Sequence, residues 1–273
     1  MCLRLTALST PSPLRPRIRP AITRPGGKSR LLAHLLPRIP ADHVCYCEPF
    51  AGGLAVLLAK PRSRLEVVND LDGDLVRFYR CVRFHPEALL TELEFVLNSR
   101  EELRDFSAQQ GLTDIQRAAR WFHRNRTCFG GASLESFAVS ATQPMSSRAA
   151  RMESIRALNV RLDRVTVEHV SWERCVDLYD RPGTFFFCDP PYTDCQAGAY
   201  GAWTYADVQK LRDRLATIKG RWLLTLNDAP AIRTIFEGCD VRAVERARGI
   251  ANRAGAGKAA RYRELIIAPR LPK

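Results

Sequence analysis

A short apolar run that ends in a proline-rich turn restricts the fold of this chain more than any other feature. Residues 184–188 are almost wholly apolar, and Asp189-Pro190-Pro191-Tyr192 follows them directly. A run without polar alternation is typical of a strand buried on both faces, as in parallel sheets covered by helices. The prolines fix φ and remove two backbone donors, so the turn is rigid and rich in acceptors. An α/β fold is therefore predicted; a plain strand end is the alternative for the turn itself.

Two regions of alternating strand and helix flank a region of a different kind. Residues 44–84 have the pattern strand, helix, strand, helix, and residues 165–236 resume it. Residues 86–162 show only helical periodicity and loops. The chain is therefore expected to form a doubly wound, mostly parallel sheet with a helical insertion. Residues 241–245 and 264–267 are predicted to add two antiparallel strands.

The predicted domain boundaries follow these changes of pattern. Residues 1–21 are rich in arginine and proline, contain no acidic residue, and are expected to be a disordered basic arm. Residues 22–85 and 163–273 would form one α/β domain, and residues 86–162 the insertion. With 273 residues, the chain is long enough to bury a full core.

The charge of the chain indicates a nucleic-acid partner. The formal net charge is +13, and only six of the 42 basic residues are lysine. Arginine forks bind phosphates bidentately and stack on bases. A preference for arginine over lysine can reflect genome composition, but that would not explain the net charge. Residues 246–263 are predicted to form a long basic hairpin loop.

The cysteines and the apolar runs indicate the compartment. Nine cysteines form no CxxC pair, and several lie in apolar strands. This usage is typical of reduced, buried thiols in the cytoplasm, and no metal site is expected. No apolar run approaches the length of a membrane span, so no membrane partner is expected.

Two glycine-containing segments predict a pocket for a nucleoside-like ligand. Glu48, Phe50 and Gly52 follow the first strand, where glycine lets the backbone approach a ligand. Asp70 lies about 20 residues on, the offset at which an acid holds ribose hydroxyls. The dinucleotide pattern GxGxxG is absent, which suits a ligand without phosphates. The alternative is a packing turn plus an exposed carboxylate.

The second glycine segment is the turn Gly26-Gly27-Lys28. It does not form a phosphate-binding loop, because Ile22 stands where that loop requires glycine. The turn could instead let Lys28 reach a ligand.

In chain order, these segments resemble the Dam-type DNA adenine-N6 methyltransferases. The motifs are RPGGK (24–28), EPFAGG (48–53), ND (69–70), a helical insertion and DPPY (189–192), with NRTCFGG (125–131) and RYRELII (261–267) in support. The similarity covers about residues 22 to 268. It implies a class I methyltransferase fold, S-adenosylmethionine as cofactor, and target recognition by the insertion.

The resemblance also implies roles for individual residues. Those implied to bind the cofactor are Gly26, Gly27, Lys28, Glu48, Phe50, Gly52, Asp70 and Asp189. Asp189 and the Pro190 carbonyl would accept hydrogen bonds from the adenine amine, and Pro191 completes their turn. These acceptors would stabilise positive charge developing on a poorly nucleophilic nitrogen. Because the target base is stacked in a duplex, it must be flipped out, and Tyr192 would stack on it.

The expected DNA contacts lie in the insertion and in the basic loop. They are Arg124, Asn125, Arg126, Phe129, Gly130, Lys258 and Arg261. The alternative for the two insertion arginines is a solvated charge, and the alternative for Phe129 is a core aromatic residue at a turn. Double-stranded DNA is the expected partner, and a monomer is adequate for the mechanism.

Two other functions remain compatible with the sequence. One is methylation of a different planar amine: cytosine N4, an RNA base or a protein glutamine. The other is a catalytically silent DNA-binding protein that keeps the fold. The recognised DNA sequence and the biological setting (restriction-modification, replication marking or a phage role) do not follow from the sequence.

Overall fold

A single seven-stranded sheet organises the protein. The computed structural model describes residues 18–24, 26–128, 137, 145–193, 199–247 and 261–270. The strands are β1 (Cys45–Glu48), β2 (Leu65–Asn69), β3 (Val165–Glu168), β4 (Thr184–Cys188), β5 (Arg221–Asn227), β6 (Asp240–Ala247) and β7 (Arg261–Ala268). Their order is β3-β2-β1-β4-β5-β7-β6. Strands β1 to β5 pair in parallel, and β7 is antiparallel to both β5 and β6. The α/β prediction, including the antiparallel end, is confirmed.

Helices cover both faces of this sheet. They are α1 (Leu32–Leu35), α2 (Ala55–Ala59), α3 (Gly73–Phe84), α4 (Pro86–Glu94), α5 (Arg100–Ala108), α6 (Asp114–Thr127), α7 (Arg148–Leu162), α8 (Trp172–Tyr179), α9 (Tyr205–Thr217) and α10 (Pro230–Ile235). Short 3-10 turns at Lys28–Arg30 and Leu36–Arg38 flank α1. Neither α1 nor these turns were expected from the hydrophobic pattern of the sequence.

The central strands are buried for the reason that their composition predicted. Every residue of β1 and β4 is buried. Side chains alternate between two apolar clusters, because successive residues of a strand point to opposite faces. Phe185 and Phe187 belong to the cluster under α3, α6 and α7, whereas Phe186 belongs to the cluster under α8, α9 and α10.

Helices α6 and α7 of the insertion pack into the same core as the sheet. Phe122 of α6 stacks on Phe78 of α3, with ring centroids 5.2 Å apart and planes inclined by 3°. Arg161 of α7 is buried and donates to both carboxylate oxygens of Glu66 on β2, at 2.6 and 2.9 Å. The insertion is therefore anchored to the sheet by apolar and ionic contacts. Its boundaries at 86 and 162 stay a prediction.

The predicted basic arm lies partly within the described residues. Ala21 is buried, and Ile18 packs against the same apolar cluster. Residues 1–17 lie outside the described residues, as do Phe129, Gly130 and Lys258 among the predicted DNA contacts. Arg261 begins β7.

Candidate active site

The carboxyl ends of the parallel strands meet at one edge of the sheet, and Asn69 ties their loops together. Its Nδ2 donates to the carbonyls of Pro49, at 2.9 Å, and Val170, at 3.0 Å. Its Oδ1 accepts from the Val170 backbone N–H at 2.9 Å. One fully buried amide thus fixes the loops after β1, β2 and β3 relative to each other, so that side chains on them have defined positions.

Asp70 and Gly52 form one wall of a candidate ligand pocket. Asp70 Oδ2 accepts from the Gly52 backbone N–H at 2.9 Å, and Oδ1 accepts from the Asp72 N–H at 3.0 Å. Burial raises the pKa of the Asp70 carboxyl, and these two bonds oppose the shift. Gly52 has φ +47°, and a Cβ there would meet no atom within 4 Å. Open space therefore lies directly against this backbone.

Aromatic rings pack together beside this wall. The Phe50 ring lies 6.2 Å from Trp172, 5.4 Å from Tyr200 and 5.8 Å from Trp203, centroid to centroid. The Tyr200 hydroxyl accepts from the Leu71 backbone N–H at 3.1 Å. Trp203 Nε1 is buried and has no hydrogen-bond partner in the part of the chain that the structure describes. Sequence reasoning found Phe50 but missed Tyr200 and Trp203; their aromatic character soon after the DPPY turn was the available signal.

Glu48 is held inside the protein at the end of β1. Its Oε1 accepts from the Tyr46 hydroxyl at 2.7 Å and from the Leu57 backbone N–H, in the first turn of α2, at 2.9 Å. Burial raises the pKa of this carboxyl to about 7, although both hydrogen bonds oppose the shift. The carboxyl therefore stabilises the start of α2, and its predicted place beside a ligand stays a prediction.

Asp189 is the centre of a second polar cluster. Its Oδ1 accepts from the Thr225 hydroxyl at 2.8 Å and lies 2.7 Å from Lys28 Nζ. Lys28 is buried, donates to the Gly26 carbonyl at 2.6 Å and lies 3.0 Å from Glu264 Oε1. Burial raises the pKa of the Asp189 carboxyl, and the Lys28 ammonium opposes this shift. The Asp189 side chain keeps 22% of its surface exposed, so a ligand can reach it.

Tyr192 closes this cluster. Its hydroxyl donates to Glu264 Oε1, and its ring centroid lies 5.0 Å from Lys28 Nζ. The structure thus brings together Lys28, Asp189 and Tyr192, and the roles expected for them stay predictions. It adds Thr225 and Glu264, which sequence reasoning missed because both lie in strands identified by their apolar residues. The signal was a polar residue inside each strand.

The turn between Asp189 and Tyr192 is largely enclosed: Pro190 is buried and Pro191 is half-buried. The turn therefore presents its acceptors in a fixed direction.

The predicted DNA contacts on α6 differ in how deeply they are buried. Asn125 is buried; its Oδ1 accepts from the Thr23 N–H and its Nδ2 donates to the Thr23 carbonyl, both at 2.8 Å. Arg126 is half-buried and donates to Ser146 Oγ at 3.1 Å, and burial lowers its pKa. Arg124 is also half-buried. Asn125 therefore anchors the segment before Lys28, and contact of these residues with DNA stays a prediction.

In the described ranges, no group of three or more His, Cys, Asp or Glu side chains is arranged to hold a metal ion. None of the described helices is long and apolar enough to cross a membrane.

Comparison with known proteins identifies a matching family and several relatives. The family described as D12 class N6 adenine-specific DNA methyltransferase matches residues 25–250. The type II methyltransferase M1.LlaDCHI of Lactococcus lactis subsp. cremoris is 25% identical over 92% of this chain and 95% of its own length. The type II methyltransferase M.CviBI of Paramecium bursaria Chlorella virus NC1A is 23% identical over 81% of this chain and 87% of its own. A DNA N-6-adenine-methyltransferase of Escherichia phage P1 is 30% identical over 39% of this chain and 15% of its own.

Proposed function

The chain belongs to the D12 class of N6 adenine-specific DNA methyltransferases, and from this premise we propose how its residues carry out the transfer. The methyl donor is S-adenosylmethionine, and the target adenine is flipped out of duplex DNA into the cluster around Asp189. The observation that carries the proposal is the Asp189 carboxylate, which is fixed at one oxygen by Thr225 and Lys28 and still reachable by a ligand.

The pocket beside Asp70 fits the donor. A nucleoside needs an acceptor for its ribose hydroxyls and an apolar surface for its base. Asp70 would supply the acceptor, and the rings of Phe50, Tyr200 and Trp203 the apolar surface. The open space at Gly52 lets the backbone approach the ligand, and the buried Trp203 Nε1 offers a donor. Gly26, Gly27, Lys28 and Glu48 would border the same donor, as the family resemblance implies.

The cluster around Asp189 supports attack by an amine. Because Thr225 and Lys28 both contact Oδ1, the Oδ2 oxygen is left to accept a hydrogen from the adenine N6 amine. The Pro190 carbonyl would accept the other hydrogen. When bound, S-adenosylmethionine supplies a methyl group activated by its sulfonium. Lys28 together with the carboxylates of Asp189 and Glu264 carries a formal charge of −1, which favours positive charge on the attacking nitrogen.

The aromatic face of Tyr192 would stack on the extruded base and offset part of the lost duplex stacking. Its hydrogen bond to Glu264 fixes the plane of the ring. Arg124 and Arg126 lie on the insertion, from which they would contact DNA phosphates. Arg261, Lys258, Phe129 and Gly130 complete the proposed DNA contacts. One copy of the chain contains every proposed group, so a monomer suffices.

The test is methyl transfer from labelled S-adenosylmethionine to unmethylated duplex DNA, followed by nucleoside analysis. N6-Methyladenine is the expected product. N4-Methylcytosine, or label in RNA or protein only, would refute the proposed substrate. No transfer by a folded protein that binds DNA would favour a silent DNA-binding protein.

A single variant tests the assigned residue. Asp189→Asn keeps the size of the side chain but removes its charge. Losing one preorganised electrostatic group typically lowers kcat by about 100- to 1000-fold. Affinity for DNA should stay near that of the wild type in a filter-binding assay. Turnover at the wild-type rate would show that Asp189 is not the acceptor.

A further inference from the structure

Glu264 is an acidic side chain with no solvent exposure, on strand β7. It lies opposite Asn227 in the antiparallel pair of β5 and β7. Thr225 and Asn227 are two residues apart on β5, so both face the same side of the sheet as Glu264. This side contains the cluster around Asp189. Glu264 therefore belongs to the site by position, although it is 72 residues beyond Tyr192 in the chain.

A carboxylate buried this deeply needs partners. Taking a charge out of water costs several kcal/mol, which only close opposite charges and hydrogen bonds offset. Glu264 has both, since Oε1 accepts from the Tyr192 hydroxyl and lies 3.0 Å from Lys28 Nζ. The same Lys28 Nζ lies 2.7 Å from Asp189 Oδ1. Lys28 thus bridges the proposed amine acceptor and Glu264.

We infer that Glu264 is a positioning residue for methyl transfer, and this inference rests on the proposed function. It acts through two groups that would touch the base or its acceptor. By accepting from the Tyr192 hydroxyl it sets the plane of the ring on which the base stacks. Because Glu264 also pairs with the Lys28 ammonium, Lys28 is attracted less strongly to Asp189. The aspartate therefore keeps an oxygen that can accept from the adenine amine.

The contribution of charge is separable from that of shape. Glu264→Gln keeps an oxygen for the Tyr192 hydroxyl but removes the negative charge, which leaves Asp189 as the carboxylate bound by Lys28. The Lys28 ammonium would then have Asp189 as its remaining carboxylate partner in this cluster. We expect kcat to fall by about 10- to 100-fold, the size of loss seen when an outer-shell partner that orients a functional group is removed. The dissociation constant for S-adenosylmethionine and the KM for DNA should change less than about twofold.

Glu66→Gln is the matched control. Glu66 is also a buried carboxylate in this sheet, paired with Lys60 at 2.6 Å and Arg161 at 2.6 Å, but it lies on β2 and takes no part in the proposed site. Its loss should lower the midpoint of thermal unfolding and leave kcat per folded molecule unchanged. If Glu264 were only structural, both variants would lose stability and neither would lose kcat.

A double-mutant cycle tests the route through Tyr192. Tyr192→Phe removes the hydroxyl that Glu264 holds. Glu264→Ala removes the acceptor of that hydroxyl; if the two residues act together, the double variant of Tyr192→Phe with Glu264→Ala should lose clearly less kcat than the product of the two single losses.

Three outcomes would overturn the inference. The first is wild-type kcat in Glu264→Gln, and the second is strictly multiplicative losses in the cycle. The third is a loss confined to stability or to binding of S-adenosylmethionine. These results would leave the proposed function intact, provided that the wild type makes N6-methyladenine. A wild type that does not methylate DNA would refute the proposed function and this inference with it.

Discussion

The hydroxyl of Thr225 gives the sharpest test of how the amine acceptor is oriented. Thr225 is fully buried, and its Oγ1 donates to Asp189 Oδ1 at 2.8 Å. Thr225→Val keeps the shape of the side chain and removes this donor. A hydrogen bond to a charged group contributes about 1.5–3 kcal/mol, and each 1.4 kcal/mol corresponds to about tenfold in rate. If the bond orients the carboxylate in the transition state, kcat should fall by about 10- to 150-fold.

The same substitution should change the pH dependence of the reaction. The Thr225 hydroxyl lowers the pKa of Asp189, because it favours the ionised form. Without it the folded-state pKa rises further, so the carboxylate is protonated at a higher pH. The acidic limb of the kcat profile should therefore move to higher pH in Thr225→Val.

Single-turnover methyl transfer at saturating DNA and donor, measured across pH, is the appropriate assay. Thr225→Ser should stay within a few-fold of the wild type, since it keeps the hydroxyl. Thr184→Val controls for losing a buried hydroxyl on a neighbouring strand, because Thr184 Oγ1 donates to the Tyr179 carbonyl at 2.7 Å, away from the site. A Thr225→Val variant with the wild-type rate and an unmoved acidic limb would refute this account of Asp189.

Two further predictions concern the donor pocket and the insertion. Gly52→Ala places a methyl group in the open space at a residue with φ +47°. Its affinity for S-adenosylmethionine, measured by calorimetry, should fall at least about tenfold, while backbone strain costs only about 1–2 kcal/mol of stability. An unchanged affinity would place the donor elsewhere. Burial lowers the pKa of His123 to about 4, so the unfolded state binds more protons between pH 6.5 and 4, and stability falls as pH falls. Denaturant unfolding should show that His123→Phe removes on the order of 2 kcal/mol of the stability difference between pH 7 and pH 4.5; an unchanged difference would contradict the assigned burial of the imidazole.

Local patterns were sufficient to predict the sheet and to place Asp70 and Asp189 directly after strands. Strand β4 and its turn are formed by adjacent residues of the sequence, and Asp70 directly follows strand β2. In a parallel sheet the carboxyl ends of the strands meet at one edge, so Asp70 and Asp189, which each directly follow a strand, share that edge. Thr225 and Glu264 could not be placed, because their contacts join residues 36 and 72 positions apart. Each such contact depends on strand order and register, which hydropathy alone does not encode.

Asn125 shows a different reason for incomplete prediction. Its motif suggested a surface that reads DNA, but the helix places it at the spacing of Ala118 and Phe122, both of which are buried. Positions i, i+4 and i+7 share one face of a helix, so periodicity already indicated an inward orientation. The motif drew attention to Asn125, but only the helical spacing indicated that its side chain points into the protein.

The segment from Thr23 to Lys28 connects helix α6 of the insertion to the residue that follows β4. Asn125 forms hydrogen bonds with both the backbone N–H and the carbonyl of Thr23, and Lys28 contacts Asp189. Five residue steps of chain join these anchors, and Gly26 within them has φ +80°, a conformation that favours glycine. Both ends are held by buried polar side chains, Asn125 at one end and Lys28 at the other, so the segment links α6 to the cluster around Asp189.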